Sequence, residues 1–411
     1  MSYANGRRFP KRATLVVGVA ALLLAHAGPA TATPATSVTA GPAPRGNVQK
    51  AMEELARVPG VVGAVGGAYV DGEPIGLGSG GSRLLGGRGG PIPVDARFRI
   101  WSQTKQMVAT VVLQLVAEGR LGVDDKLGDL LPAVVDEDLV ARADEITVRQ
   151  MLRHTSGIPD WYAGEPKPDG SEGDPAFDVF DFTTRYRPVD LVKWSRDRPR
   201  TGEPGERFTY SNTNHILLGM LIERLTGHDL ATELHQRLFG PLKMTKSYLM
   251  VEPPDGVRGP HGHGYYPDAD GRPRDVDRFN ASFAGGGAGG VVSTAHDVSA
   301  FNRAFTRGRL LPPELQRVLT DRLPDAPDAP DALDAPDSPY SPRERRSGCG
   351  EDFYITGGLA PGSVAMTFYS QDGRRQFAVS VTLSTKDTTR AGQAMGKALE
   401  AVFCPAASAE R

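Results

Sequence analysis

The chain has 411 residues, enough for one or two closely joined domains with a sizeable shared core. Charged residues make up 23% and the hydrophobic set 39%, a balance that excludes a wholly disordered chain and a polytopic membrane protein. With 47 basic against 49 acidic residues there is no broad cationic face for nucleic acid, and no motif of that class occurs.

Residues 1–32 read as an export signal. Arg7, Arg8, Lys11 and Arg12 precede an apolar run from Ala13 to Ala25, then small residues and an Ala30-x-Ala32 cleavage site. The run is too short for a permanent membrane span, and no Cys near the cleavage site offers a lipid anchor. A secreted, unanchored, monomeric product is expected. Residues 33–46, rich in Thr, Pro, Ala and Gly, read as a flexible lead.

Val48 to Leu55 has helical spacing, and Val61 to Val70 reads as a strand entering a hairpin at Asp71-Gly72. From about 105 to 250 the pattern is mainly helical with long polar loops. Residues 324–342 hold an acidic, proline-rich repeat of Pro-Asp-Ala that cannot bury a core and reads as an extended loop. Val364 to Ser370, a turn at Gln371-Asp372-Gly373, and Phe377 to Leu383 form a strand, turn, strand unit, and a helix follows from Thr388 to Phe403. Strands at both ends of the chain predict an α/β domain built from 47–115 and 285–404, with a mainly helical domain, 116–284, inserted between. Cys349 and Cys404 fall in the exported part and are expected to pair in an oxidising compartment, contributing roughly 4 kcal/mol.

Two short patterns carry chemistry. Ser102-Gln-Thr-Lys105 opens the helical stretch Met107 to Glu118, which puts a hydroxyl at a helix N-terminus and an amine one turn later on the same face. A partly desolvated Lys has a lowered pKa and can take the serine proton, so the pair suits a nucleophile and its base. Tyr210-Ser-Asn212 follows a Pro204-Gly205 turn and opens onto the helical Ile216 to Leu225, where Tyr210 suits proton transfer and Asn212 suits binding a substrate amide. His261-x-His263 lies in a Gly-rich loop without a further ligand set of recognisable spacing, and reads as an exposed loop rather than a metal site. Gly285 to Gly290 lacks the Lys and Ser or Thr of a phosphate loop and reads as tight packing near the site. No metal or organic cofactor is expected.

Three longer segments in sequence order carry a resemblance: Arg97-Phe-Arg-Ile-Trp-Ser-Gln-Thr-Lys105, Ile146 to Gly157 with its His154-Thr-Ser-Gly, and Pro204-Gly-Glu-Arg-Phe-Thr-Tyr-Ser-Asn212. Together they resemble the serine β-lactamase and penicillin-binding protein family, nearest to its secreted D-alanyl-D-alanine carboxypeptidases and class C β-lactamases. The resemblance covers about residue 47 to Cys404. It implies an α/β plus all-α fold of the β-lactamase/transpeptidase type, with an antiparallel sheet, helices on both faces and an inserted helical domain. It also implies an acyl-enzyme on Ser102, with Lys105 and Tyr210 moving protons, and small-molecule or peptide substrates such as D-Ala-D-Ala peptides, β-lactams or esters. His154 belongs to a packing motif of the family and is read as structural.

The family's third motif is a strand carrying Lys or His, then Thr or Ser, then Gly. Here it falls near Tyr354 to Gly362, in one of two registers: Thr356, Gly357 and Gly358 without a gap, or Ile355 first. Both lack the basic residue. Losing such a cation costs about 2 to 4 kcal/mol of substrate contact, so weakened or redirected activity is expected. In the ungapped register the resemblance assigns the oxyanion donors to the backbone of Ser102 and Leu359, and it places Arg343 where related carboxypeptidases hold a substrate carboxylate. The altered motif leaves two alternatives open: an esterase or peptide-cyclising acyltransferase on the same fold, and a catalytically silent binding protein.

Overall fold

The structure, a computed structural model, describes residues 47–162, 177–253, 256–321, 345–346 and 352–404. The export signal, the lead, the acidic loop, Arg343 and Cys349 lie outside the described residues. Those described belong to one compact unit.

Its strands are β1 (Val61–Val70), β2 (Glu73–Gly81), β3 (Phe98–Arg99), β4 (Tyr248–Leu249), β5 (Tyr265–Pro267), β6 (Pro273–Asp275), β7 (Val291–Ser293), β8 (Arg345–Arg346), β9 (Asp352–Ala360), β10 (Ser363–Ser370) and β11 (Arg375–Leu383). Five helices matter below: α1 (Val48–Leu55), α2 (Thr104–Ala117), α3 (Asn212–Thr226), α4 (Ala295–Thr306) and α5 (Thr389–Phe403). The main sheet runs β2-β1-β11-β10-β9-β8, antiparallel at each pairing. The first long strand therefore lies beside the last, with Ala64 opposite Val381 and Ala68 opposite Phe377.

Alternation along the strands sorts side chains into two layers. Ala64, Ala68, Val364, Phe368, Phe377, Val379 and Val381 face α1 and α5 in one core. Val65, Tyr69, Ala365 and Ala378 turn to the opposite core, which holds α2 and α3. On that second face α4 lies close to β1 and β11. An antiparallel sheet with helices on both faces is thus the architecture, as the resemblance implies.

The helix α2 sits innermost. Met107, Val108, Ala109, Val111, Val112, Leu113 and Leu115 are all fully buried, so apolar residues occupy every side and the helix is wrapped by the protein. At about 1.5–3 kcal/mol for each large side chain, this burial fixes the helix start firmly. Two smaller sheets, β3-β7-β4 and the hairpin β5-β6, complete the strands. Among the described residues, no helix is long and apolar enough to cross a membrane.

Candidate active site

The turn ahead of α2 is strained. Trp101 takes φ +50°, a left-handed conformation that costs a non-glycine residue about 1–3 kcal/mol. Several contacts hold it there: the indole N–H donates to Ser363 Oγ at 2.9 Å, Phe279 packs edge-on at 5.5 Å, and the Arg99 guanidinium lies 5.4 Å from the ring centre. Trp101 to Gln103 form a 3-10 turn that runs directly into α2 and carries Ser102.

Three reactive groups converge on that serine. Lys105 Nζ lies 3.0 Å from Ser102 Oγ, and the Tyr210 hydroxyl donates to the same oxygen at 2.8 Å. Lys105 is only 2% exposed; its Nζ also donates to the Ala288 carbonyl at 2.5 Å and lies 5.1 Å from the Tyr210 ring centre. Burial lowers the lysine pKa to about 7, against the pull of the Asp160 charge in the other direction. A neutral amine is therefore accessible near neutral pH, as a base for Ser102 requires. Burial likewise raises the Tyr210 phenol, although with 38% of the residue exposed, solvent tempers that rise. The glycine run earns its place by packing: a Cβ on Gly287 would collide with the His215 carbonyl, and this tight passage brings Ala288 O to Lys105.

Tyr210 rests on a stack. His154 lies parallel to it at 4.7 Å and to His215 at 4.9 Å. The His154 Nδ1 accepts the Ser211 N–H at 3.0 Å, and burial, then nearby Lys105, lowers its pKa to about 3. The imidazole is thus a neutral platform that positions the phenol. Further bonds lace the 154–161 loop to the start of α3: Ser156 Oγ donates to Asn214 Oδ1 at 2.6 Å, Thr213 Oγ1 to the Pro159 carbonyl at 2.9 Å, and Trp161 N to Thr213 Oγ1 at 3.1 Å.

Asp160, in that same loop, was not singled out from sequence. Its Oδ2 accepts from both the backbone N–H and the side-chain amide of Asn212, at 3.2 and 2.8 Å, and its Oδ1 accepts from Tyr162 N at 3.0 Å. Burial raises its pKa, opposed by those bonds and by Lys105. One carboxylate therefore caps α3, orients Asn212 and biases Lys105. The only signal in the sequence is an acidic residue three positions after His-Thr-Ser-Gly157.

On the other side of Ser102 runs β9. A Cβ on Gly358 would fall 2.5 Å from Ser102 N and against the Ile100 carbonyl, whereas one on Gly357 would make an ordinary 3.7 Å contact with Met366. The backbones meet where only glycine fits. Thr356 Oγ1 donates to Gln103 Oε1 at 3.2 Å, joined there by Thr367 Oγ1 at 2.8 Å, so Thr356 is tied to a neutral amide. Leu359 is 56% exposed.

The structure brings Ser102, Lys105, Tyr210, Asn212 and the 356–359 strand into one region. Arg343 and Cys349 are outside the described residues; Cys404 caps the end of α5. The exposed-loop reading of His261-x-His263 is corrected: His261 is 7% exposed, and its Nε2 lies 2.6 Å from Asp277 Oδ1, because the hairpin β5-β6 folds the later acidic residues back onto the loop.

Comparison with known proteins adds four findings. The family model "Beta-lactamase" matches residues 48–400. The chain is similar to penicillin-binding protein 4 of Amycolatopsis lactamdurans, 34% identical over 59% of this chain and 59% of that protein. It is also similar to the esterase EstB of Burkholderia gladioli, 29% identical over 43% of this chain and 44% of that one. These curated matches span about half of each relative's length. Among solved structures, a D-stereospecific amidohydrolase from Streptomyces sp. superposes with a TM-score of 0.69 at 29% identity, over 88% of this chain and 98% of that one.

Proposed function

Because the chain belongs to the beta-lactamase family, whose members are serine hydrolases, we propose that it cleaves amide bonds next to a D-configured residue through an acyl-enzyme on Ser102. The single observation that carries this reading is the convergence of Lys105 Nζ and the Tyr210 hydroxyl on Ser102 Oγ, at 3.0 and 2.8 Å.

In the proposed sequence, neutral Lys105 takes the hydroxyl proton as Ser102 Oγ bonds to the carbonyl carbon. The proton passes by way of Tyr210 to the leaving nitrogen as the C–N bond breaks. Water then adds to the acyl-serine and gives up a proton to the same pair; the Ser102 Oγ–acyl bond breaks, the proton returns to Oγ, and the acid leaves. By resemblance, the N–H groups of Ser102 and Leu359 hold the oxyanion, and Asn212 with residues 356–358 holds the acyl chain. The close approach at Gly358 supports the ungapped register in which Leu359 has that role. The similarity to the Streptomyces amidohydrolase supports a D-configured acyl residue. Peptides ending in D-Ala-D-Ala belong to this class, with Arg343 as carboxylate anchor, and penicillins should acylate Ser102 slowly. Export through residues 1–32, a monomeric product, and a Cys349–Cys404 bridge are parts of the same proposal, as is the division into 47–115 with 285–404 and 116–284.

A second reading, ester hydrolysis, is favoured by one observation. Thr356 is bonded to Gln103 where the family pattern has a cation, so a neutral leaving group loses nothing there. Mass spectrometry after exposure to a penicillin, a D-Ala-D-Ala peptide and a panel of D-aminoacyl amides and esters tests both. An adduct of the acyl mass on Ser102 is expected. Turnover of esters alone would replace the amidase reading with the esterase one, and wild-type turnover of no substrate above the Ser102→Ala background would sink both and leave a binding protein.

A further inference from the structure

The loop before β5 and the end of β6 build a second polar cluster, independent of Ser102. His261 and His263 enter the hairpin, Asp275 ends it, and Asp277 follows two residues later. The rings of the two histidines stack at 5.1 Å, 11° from parallel. His261 Nδ1 lies 2.5 Å from the Gly259 carbonyl oxygen, and His263 Nδ1 lies 2.8 Å from Asp275 Oδ2.

Those contacts fix the protons. A carbonyl oxygen can only accept, so His261 Nδ1 must carry hydrogen; a carboxylate makes the same demand of His263. In each neutral imidazole the remaining nitrogen, Nε2, then presents a lone pair. Yet His261 Nε2 lies 2.6 Å from Asp277 Oδ1, also an acceptor, and two acceptors that close need a positive species to share, a proton between them or a cation bound beside both. A second proton on the ring is one answer and a metal ion is the other. Holding Nδ1–H on a backbone carbonyl or a carboxylate is how proteins orient imidazoles that ligate a metal through Nε2.

Ligand atoms from His261, His263 and Asp277 all lie within 4.8 Å of one another. Arg83 and Arg99 come near, but they bond to the His261 and Asp277 backbone carbonyls, leaving the three ligand groups to one another. Two imidazoles and one carboxylate form a donor set that suits zinc and its transition-metal neighbours rather than calcium or magnesium, which take oxygen ligands.

We propose that His261, His263 and Asp277 form a structural site for a divalent transition ion, zinc-like in preference, with Asp275 and the Gly259 carbonyl orienting the two imidazoles. The ion would staple the start of β5 to the segment after β6. That segment leads directly to Phe279, which packs on Trp101 beside the nucleophile.

The test is equilibrium dialysis of chelator-treated protein against ZnCl₂ at neutral pH, alongside thermal unfolding. One Zn²⁺ per chain and a raised melting temperature are expected, with the same stoichiometry in Ser102→Ala, which separates this site from the hydrolase reading. His261→Ala should abolish binding. Asp275→Asn keeps all three ligands and replaces a half-exposed carboxylate, so it should fold, and it should weaken binding about 10- to 100-fold. The absence of stoichiometric Zn²⁺ binding by the wild type, undiminished binding by Asp275→Asn, or displacement of bound Zn²⁺ by equimolar Ca²⁺ would each overturn the proposal.

Discussion

On one side of Ser102, every group is pinned: Lys105 by the Ala288 carbonyl, Tyr210 by its stack on His154, and Asn212 by Asp160. On the other side, β9 offers Thr356 tied to a neutral amide, Gly357 with room to spare, and a Leu359 side chain more than half exposed. In the proposed reaction the first side moves protons, and groups that exchange protons must sit within hydrogen-bond reach, so their surroundings are over-determined. In the same proposed reaction the second side meets substrate, and apart from Gly358 it is built loosely. The difference teaches that chemistry and specificity are anchored separately here, and that the second can change without dismantling the first.

The sharpest way to break that contrast is at the nucleophile. Ser102→Ala should lower acyl transfer on the order of 10⁴-fold or more and remove the mass-spectrometric adduct while leaving the melting temperature nearly unchanged. Lys105→Met should cost about 10²- to 10⁴-fold in acylation rate, measured by pre-steady-state burst. In the wild type, the acylation rate should rise with pH through about 7, since only the deprotonated amine accepts the serine proton. Asp160→Asn removes the negative charge that favours protonated Lys105, so that inflexion should move to lower pH; an unmoved profile would reduce Asp160 to a helix cap.

Smaller effects sharpen the facing side. Gly358→Ala should destabilise the protein by about 1–3 kcal/mol in chemical denaturation and depress activity with it, because the added carbon meets the Ser102 and Ile100 backbone. Gly357→Ala, one residue away, should stay within about 0.5 kcal/mol of wild type. Last, Thr356→Lys should shift preference toward substrates with a free carboxylate by roughly tenfold in kcat/KM, read from paired peptide acids and amides. No shift would mean that this position does not face the substrate's end.

Much of this was legible in the sequence because it is local. Ser102 and Lys105 share one helical turn, so their spacing alone predicts contact, and the long strands Val61–Val70 and Arg375–Leu383 announce themselves by alternation and a flanking turn. Tyr210 could be picked out by its turn and the helix it opens onto, but nothing in its own neighbourhood says that it reaches Ser102, 108 residues earlier. Asp160 escaped for a similar reason: its work is done on Asn212, 52 residues later, across a loop with no periodicity to read. The burial of His261 beside Asp277 was not legible because the acidic residues return through a hairpin whose strands are only three residues long. The register of β9 stayed open because two glycines in a row look alike until a neighbouring backbone distinguishes them.

The passage of Gly358 against Ser102 has a consequence for the order of events in the cell. A polypeptide made from its amino end displays the serine early, but the strand that completes its surroundings emerges some 250 residues later and must dock beside β1 through β11. Nascent chains should therefore be inert until β9 has emerged and docked, with reactivity switched on by the closing of the sheet rather than by the appearance of the nucleophile.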